Sequence, residues 1–244
     1  MIKPINVPLR TVKSFVVRRG RMTEAQELAL TSFWSQFGLN LADGMFDPAQ
    51  VFGRSGELVL EIGFGMGEAL ISMALAHPQQ NFIGVEVHPP GIGNILREIA
   101  EQNITNLRIY KADAKDVLDQ CIADASLSKI QIYFPDPWHK TKHHKRRLIQ
   151  SEFVQQIRPK LKVGAIVHLA TDWEAYAKQM MKVMSSAEGF RNCIGEHAWA
   201  SDPMRPSTKF EQRGQRLGHA VWDLVFEKTC NQYLRNREFA SLNV

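Results

Sequence analysis

Cysteine is scarce in this chain of 244 residues: there are three, Cys121, Cys193 and Cys230. An odd, widely spaced set excludes a disulfide framework and a cysteine metal site, and fits a reducing cytoplasm. Apolar runs of membrane-crossing length are also missing, and no signal-peptide pattern opens the chain, so no membrane role is expected. Internal repeats and low-complexity tracts are absent too. Charge of one sign does not dominate, with 30 Lys and Arg against 25 Asp and Glu, so function depends on where the charges fall. What is present, 44% hydrophobic residues, is enough to bury one α/β core.

Charge is concentrated at two places. Residues 1–40 read as a basic arm and helix belonging to the same unit as the domain over 41–244. In this arm Arg10, Lys13, Arg18, Arg19 and Arg21 surround Phe15-Val16-Val17. Thr23 with Gln26 three positions on predicts an N-cap and a helix to about Phe37. The second place is Lys140, Lys142, Lys145, Arg146 and Arg147, directly after Phe134-Pro135-Asp136-Pro137-Trp138-His139.

From residue 57 strands and helices alternate. Strands are expected at 58–62, 81–87, 107–110, 130–134, 165–169, about 191–194 and 220–227. Helices are expected at 68–76, 92–102, 114–123, 151–161 and 173–186. This pattern predicts a doubly wound, mostly parallel, Rossmann-like sheet of seven strands with helices on both faces.

Gly63, Gly65 and Gly67 follow the first of these strands, as a turn that lets a ligand approach the backbone. A dinucleotide fingerprint needs a glycine where Glu68 stands. An acid there would repel a pyrophosphate, which disfavours a nicotinamide oxidoreductase. Glu61, Glu86, Asp113, Asp136 and Asp172 fall at or near the carboxyl ends of five strands. Such a crevice suits a cationic, donor-rich ligand, and S-adenosylmethionine fits. Glu86 is expected at the ribose hydroxyls, Asp113 and Ala114 at the adenine edge, and Glu61 near the methionine part.

With these features, Phe134 to Lys140, Lys145-Arg146-Arg147, Ala170-Thr171-Asp172-Trp173 and Thr208-Lys209-Phe210-Glu211 resemble the bacterial tRNA (guanine-N7-)-methyltransferases. The resemblance runs over nearly the whole chain, the arm from Ser14 to Arg21 included. It implies methyl transfer from S-adenosylmethionine to N7 of a guanine in the tRNA variable loop. By motif, Glu61, Glu86, Asp113 and Asp136 contact the cofactor, and Asp136 is also at the reacting centre. Lys140, Asp172, Thr208, Lys209, Phe210 and Glu211 contact the substrate, and Lys142, His143, His144, Lys145, Arg146 and Arg147 touch RNA. Lys13 stands where arginine is expected, and Thr229 to Val244 receives no role.

The histidines at 139, 143 and 144 lack the cysteines or acid triad of a metal site, so no metal is expected. A monomer is expected, since no extra apolar helical stripe is evident. Other readings of the same residues are a methyltransferase acting elsewhere, as on another RNA position, and a non-catalytic RNA-binding protein that kept the cofactor fold. The basic segments favour RNA, and the intact glycines and acids favour catalysis.

Overall fold

The computed structural model describes residues 13–16, 20–202, 205–206, 211 and 220–230. Helix α1 (Glu24–Phe37) begins where the sequence places it: Thr23 accepts from the Gln26 amide and the Gln26 side chain accepts from Thr23 N–H. Such a cap is worth about 1 kcal/mol. The chain then forms β1 (Gly38–Leu39), α2 (Pro48–Phe52), β2 (Leu58–Ile62), α3 (Glu68–Ala76), β3 (Asn81–Glu86), α4 (Pro89–Glu101) and β4 (Leu107–Lys111). It continues through α5 (Ala114–Gln120), β5 (Leu127–Tyr133), α6 (Ser151–Lys160), β6 (Leu161–Thr171), α7 (Glu174–Ser185), β7 (Phe190–Asn192) and β8 (Trp222–Lys228).

Among the described residues the sheet has eight strands, in the order β1-β4-β3-β2-β5-β6-β8-β7, which corrects the expected seven. The additional strand, β1, is two residues that pair parallel to Ile109 and Tyr110 at the sheet edge. Two residues carry no readable period, so composition could not mark them. Helix α4 starts three residues earlier than expected because Pro89 and Pro90 occupy its first turn, where no amide hydrogen is needed. Strands β1 to β6 run parallel, and β8 is antiparallel to both β6 and β7.

Alternation along β2 divides the interior. Leu58, Leu60 and Ile62 face the core formed with α5, α6 and α7, whose contacts include Val117, Phe153 and Tyr176. Val59 faces the core formed with α1, α3 and α4, which contains Leu70, Ile95 and Ile99. Gly93 lets α1 lie against α4, since a β-carbon there would meet the Gln26 carbonyl oxygen at 2.5 Å. The strand order reverses between β2 and β5. Open α/β sheets bind ligands beyond the strand ends at such a point.

Candidate active site

At this reversal lies a cleft of about 210 Å³, whose walls include Gly63, Glu86, Asp113, Ala114, Phe134 and Asp136. Ser14 and Phe15 of the arm close its outer side. Gly63, Gly65 and Gly67 all have positive φ (77°, 59° and 86°), a region costly for any residue with a β-carbon. Gly91 of α4 fits against the same turn, where a β-carbon would collide with the Gly65 carbonyl.

This turn and the end of β3 fix Glu86. One carboxylate oxygen accepts from Gly65 N–H (2.9 Å), and the other from Val87 N–H (2.6 Å) and His88 N–H (3.0 Å). Asp113 caps α5 by accepting from Lys115 N–H (3.1 Å), and its other oxygen accepts from Lys13 Nζ at 2.7 Å. That hydrogen bond raises the Lys13 pKa above its ordinary value, against a smaller cost of burial.

Glu61 lies behind this wall. It is 3% exposed and does not line the cleft, and its Oε2 has no hydrogen-bond partner. Burial pushes its carboxyl up to about 8; Lys129 opposes the shift and Glu86 adds to it. The consequence for stability has a definite sign. Below about pH 4.5 the carboxyl is protonated whether the chain is folded or not. Between there and about 8 the folded protein keeps a proton that the unfolded chain has released, so stability falls as pH rises through this window. Linkage limits the loss to about 5 kcal/mol. Glu61→Gln is expected to flatten that slope in urea unfolding of the ligand-free protein between pH 5 and 8; an unchanged slope would exclude Glu61 as its source.

Asp136 is exposed at the end of β5, between Pro135 and Pro137. Phe134 and Trp138, on either side of this bend, both have positive φ (51° and 47°). Strain at two bulky residues is held only where surrounding contacts over-determine the backbone, and those contacts are present. Trp138 Nε1 donates to the Ser14 carbonyl (3.1 Å), and the Arg146 guanidinium lies 3.8 Å from the centre of its ring. Arg146 also donates to the Lys13 and Phe15 carbonyls, at 3.1 Å each. Trp138 therefore fastens the arm across the cleft.

The basic run forms a 3-10 turn over Thr141–Arg146. Lys140, Lys142 and Lys145 are exposed, and His143 and His144 are partly so. Arg147 is placed differently from its neighbours. It is buried, donates to the Pro137 carbonyl (2.7 Å) and Gln179 Oε1 (2.6 Å), and lies 4.8 Å from the Tyr176 ring centre. The structure makes it a brace under the Pro-Asp-Pro bend.

Asp172 directly follows β6, beside Trp173, which is 39% exposed and meets the His139 ring edge-on at 4.3 Å. Glu211 is buried and takes both oxygens to Arg205 (2.6 and 3.0 Å). Thr208, Lys209 and Phe210 lie outside the described residues, as do Arg18 and Arg19. The cleft thus gathers Gly63, Glu86, Asp113, Ala114 and Asp136, with Glu61 behind it and the cations alongside.

Sequence reasoning assigned no part to Tyr133, His168 or Asp223, which with Arg205 are joined in one buried polar chain. The available signal was polar residues alternating with Ile130, Ile132, Val167, Leu169 and Leu224 in strands buried on both faces.

Residues 55–224 match a family model described as "Putative methyltransferase". A tRNA (guanine-N(7)-)-methyltransferase of Saccharophagus degradans is 54% identical over 221 residues, covering 90% of this chain and 96% of that protein. One of the same name from Marinobacter nauticus is 57% identical, covering 90% and 93%. The chain belongs to this methyltransferase family.

Solved structures of lower identity share the fold. The 16S rRNA methyltransferase KamB aligns with a TM-score of 0.55 at 13% identity, covering 76% of this chain and 95% of that one. A mutant 16S rRNA (adenine(1408)-N(1))-methyltransferase from Catenulisporales acidiphilia, crystallised with cosubstrate SAM, aligns at 0.53 and 14%, covering 76% and 92%. Among the described residues of this family member, no group of three His, Cys, Asp or Glu is placed to hold a metal ion. No described helix is long and apolar enough to cross a membrane.

Proposed function

We propose that this protein transfers the methyl group of S-adenosylmethionine to N7 of a guanine in the variable loop of tRNA. The observation that carries the reading is the cleft itself, where carboxylates fixed by backbone amides adjoin Asp136 and an exposed run of cations. The relatives' names support the choice of substrate.

The residues fit the cofactor. Glu86 is held with both oxygens directed before any ligand arrives, as the ribose hydroxyls require. Asp113 and Ala114 would hold the adenine edge, whose amino group would compete with the Lys13 ammonium for Asp113. Glu61, buried behind the cleft wall with an unpartnered oxygen, would act on the methionine portion only from a distance. Gly63 and Gly65 leave open space where β-carbons would stand. Bound there, the cofactor would supply a sulfonium-activated methyl group to the lone pair of guanine N7.

Neutral guanine carries no proton at N7, so no residue has to remove one. Asp136 works by position and charge, and alignment of this kind can lower a barrier by about 7–11 kcal/mol at best. The methylated base becomes cationic, and the Asp136 and Asp172 carboxylates stabilise that charge as it develops. They also accept from N1–H and the 2-amino group of guanine; with Thr208 and Glu211 this orients the base. Adenine presents a bare N1 to the same acceptors and is rejected. Phosphates lie outside, along Lys140, Lys142 and Lys145. The target base has to turn out of the folded tRNA before it reaches the cleft.

Lys142→Ala with Lys145→Ala is expected to lower the slope of log affinity against log salt by roughly 1 to 2, because two phosphate contacts are lost. The melting temperature should not move. Arg147→Ala is expected to do the reverse, lowering the melting temperature by several degrees through the buried groups it leaves unpaired. Equal salt slopes for wild type and the double variant would remove these lysines from the RNA path. The reading as a whole is tested with an unmodified tRNA transcript and methyl-labelled cofactor. The transcript should take up label, whereas one with adenine in place of the variable-loop guanine should take up none; equal uptake by both would overturn it.

A further inference from the structure

On the sheet face carrying Glu61, β5, β6 and β8 bear a line of polar residues buried among apolar neighbours. The side-chain amide of Gln131 donates to Tyr133 Oη at 2.6 Å, so the Tyr133 hydroxyl hydrogen turns to His168 Nδ1 at 3.3 Å. With Nδ1 accepting, His168 carries its proton on Nε2 and donates it to Asp223 Oδ1 at 2.8 Å. Arg205 then clamps two carboxylates. Its Nε and Nη2 reach Asp223 at 2.7 and 2.9 Å, and its Nη1 and Nη2 reach Glu211 at 2.6 and 3.0 Å. The Arg205 side chain is fully buried, and Asp223 and Glu211 are nearly so.

The protonation states follow from these contacts. Burial holds His168 below its ordinary value, against the hydrogen bond to Asp223, so it is neutral. Burial alone would raise Asp223, but hydrogen bonds from His168 and Arg205 keep it below the usual carboxylate range. One guanidinium therefore lies between Asp223 and Glu211. The guanidinium carbon also lies 5.3 Å from the centres of the Tyr133 and Phe134 rings, and Phe134 opens the bend that carries Asp136.

Such an assembly is a poor way to gain stability. Apolar residues of the same volume commonly do as well or better, whereas breaking one member is costly. What it supplies is geometry: each oxygen of Glu211 receives its own N–H from a guanidinium that Asp223 holds from behind. We propose that Asp223, His168 and Arg205 are positioning residues for Glu211, and that they set the preference for guanine from inside the sheet. This rests on the reading of Glu211 as a carboxylate that orients the base. The three residues do not touch the reacting atoms and act through Glu211.

A double-mutant cycle of Asp223→Asn and Glu211→Gln tests the inference, with two tRNAs differing only at the methylated position, guanine in one and inosine in the other. Inosine lacks the 2-amino group but keeps N7 and N1–H. Glu211→Gln is expected to lower kcat/KM by about tenfold or more and to narrow the guanine-to-inosine ratio. Asp223→Asn should do the same with cofactor affinity unchanged, and the double variant should be within about threefold of Glu211→Gln alone, since residues acting through one another are not additive.

Multiplying effects, or a guanine-to-inosine ratio that Asp223→Asn leaves intact, would overturn the relay. Full activity and a full ratio in Glu211→Gln would instead overturn the role of Glu211 itself, so the two failures are distinct. If Asp223→Asn does not fold, His168→Gln enters the same cycle with the same expected and contrary results, because it leaves both ion pairs of Arg205 in place.

Discussion

Asp136→Ala is expected to lower kcat for methyl transfer by about 10²- to 10³-fold, with cofactor affinity changed far less and the melting temperature nearly constant. The size follows from what the carboxylate does under the proposed reading. It faces a base that is neutral when it arrives and cationic when it leaves, so its charge acts more strongly on the transition state than on bound tRNA. Stability should hold because Asp136 is exposed and the bend is braced by others: Arg147 beneath Pro137, and Arg146 stacked on Trp138. Asp136→Asn keeps the shape and loses the charge, and should retain little more activity than Asp136→Ala. Single-turnover rates should show no solvent isotope effect on methyl transfer, since no proton moves in that step. A substantial isotope effect abolished in Asp136→Asn would make Asp136 a proton acceptor and end the electrostatic account.

Glu86→Gln is the second large effect, expected to weaken S-adenosylmethionine binding by about 100-fold, as much as Glu86→Ala does. Glutamine is no substitute here because both oxygens of Glu86 are acceptors. Gly65 N–H points at one, and Val87 and His88 N–H at the other. An amide must turn its NH₂ toward one side or the other, which breaks the contact with either the glycine turn or the strand end. Calorimetric titration with the cofactor checks the affinity. If Glu86→Gln binds the cofactor as wild type does, the fixed carboxylate is not what the cleft uses to hold it.

Legibility in the sequence followed the range of the interactions concerned. Local signals were read well. The Thr23–Gln26 cap put α1 at 24–37, and α3 appeared at 68–76 directly after the glycine turn. A parallel sheet brings the carboxyl ends of its strands to one edge, where Glu86, Asp113 and Asp136 line one cleft; the other two strand-end acids, Glu61 and Asp172, do not line it. Three features were not legible, for one physical reason. Arg147 sits in a run of cations that reads as surface, yet it is buried because Pro137 and Gln179 accept from it. Lys13 pairs with Asp113 across a hundred positions. The chain from Gln131 through His168 and Asp223 to Glu211 is joined by strand pairing and one guanidinium, and sequence spacing carries no trace of either.

The division of labour along the Pro-Asp-Pro segment is sharper in space than in sequence. Of the adjoining cations, Arg147 holds the bend, Arg146 holds the arm, and Lys140, Lys142 and Lys145 remain exposed for phosphates. An anionic chain bearing a base that turns cationic is the substrate for which acid and cations belong side by side.

Digestion of tRNA treated with the protein and isotope-labelled S-adenosylmethionine, followed by nucleoside mass spectrometry, tests the central claim most directly. The expected product is labelled 7-methylguanosine, mapped to the variable loop and formed about 10²- to 10³-fold more slowly when Asp136→Ala replaces the wild type. Label in any other nucleoside, or no 7-methylguanosine above the enzyme-free control, would contradict it.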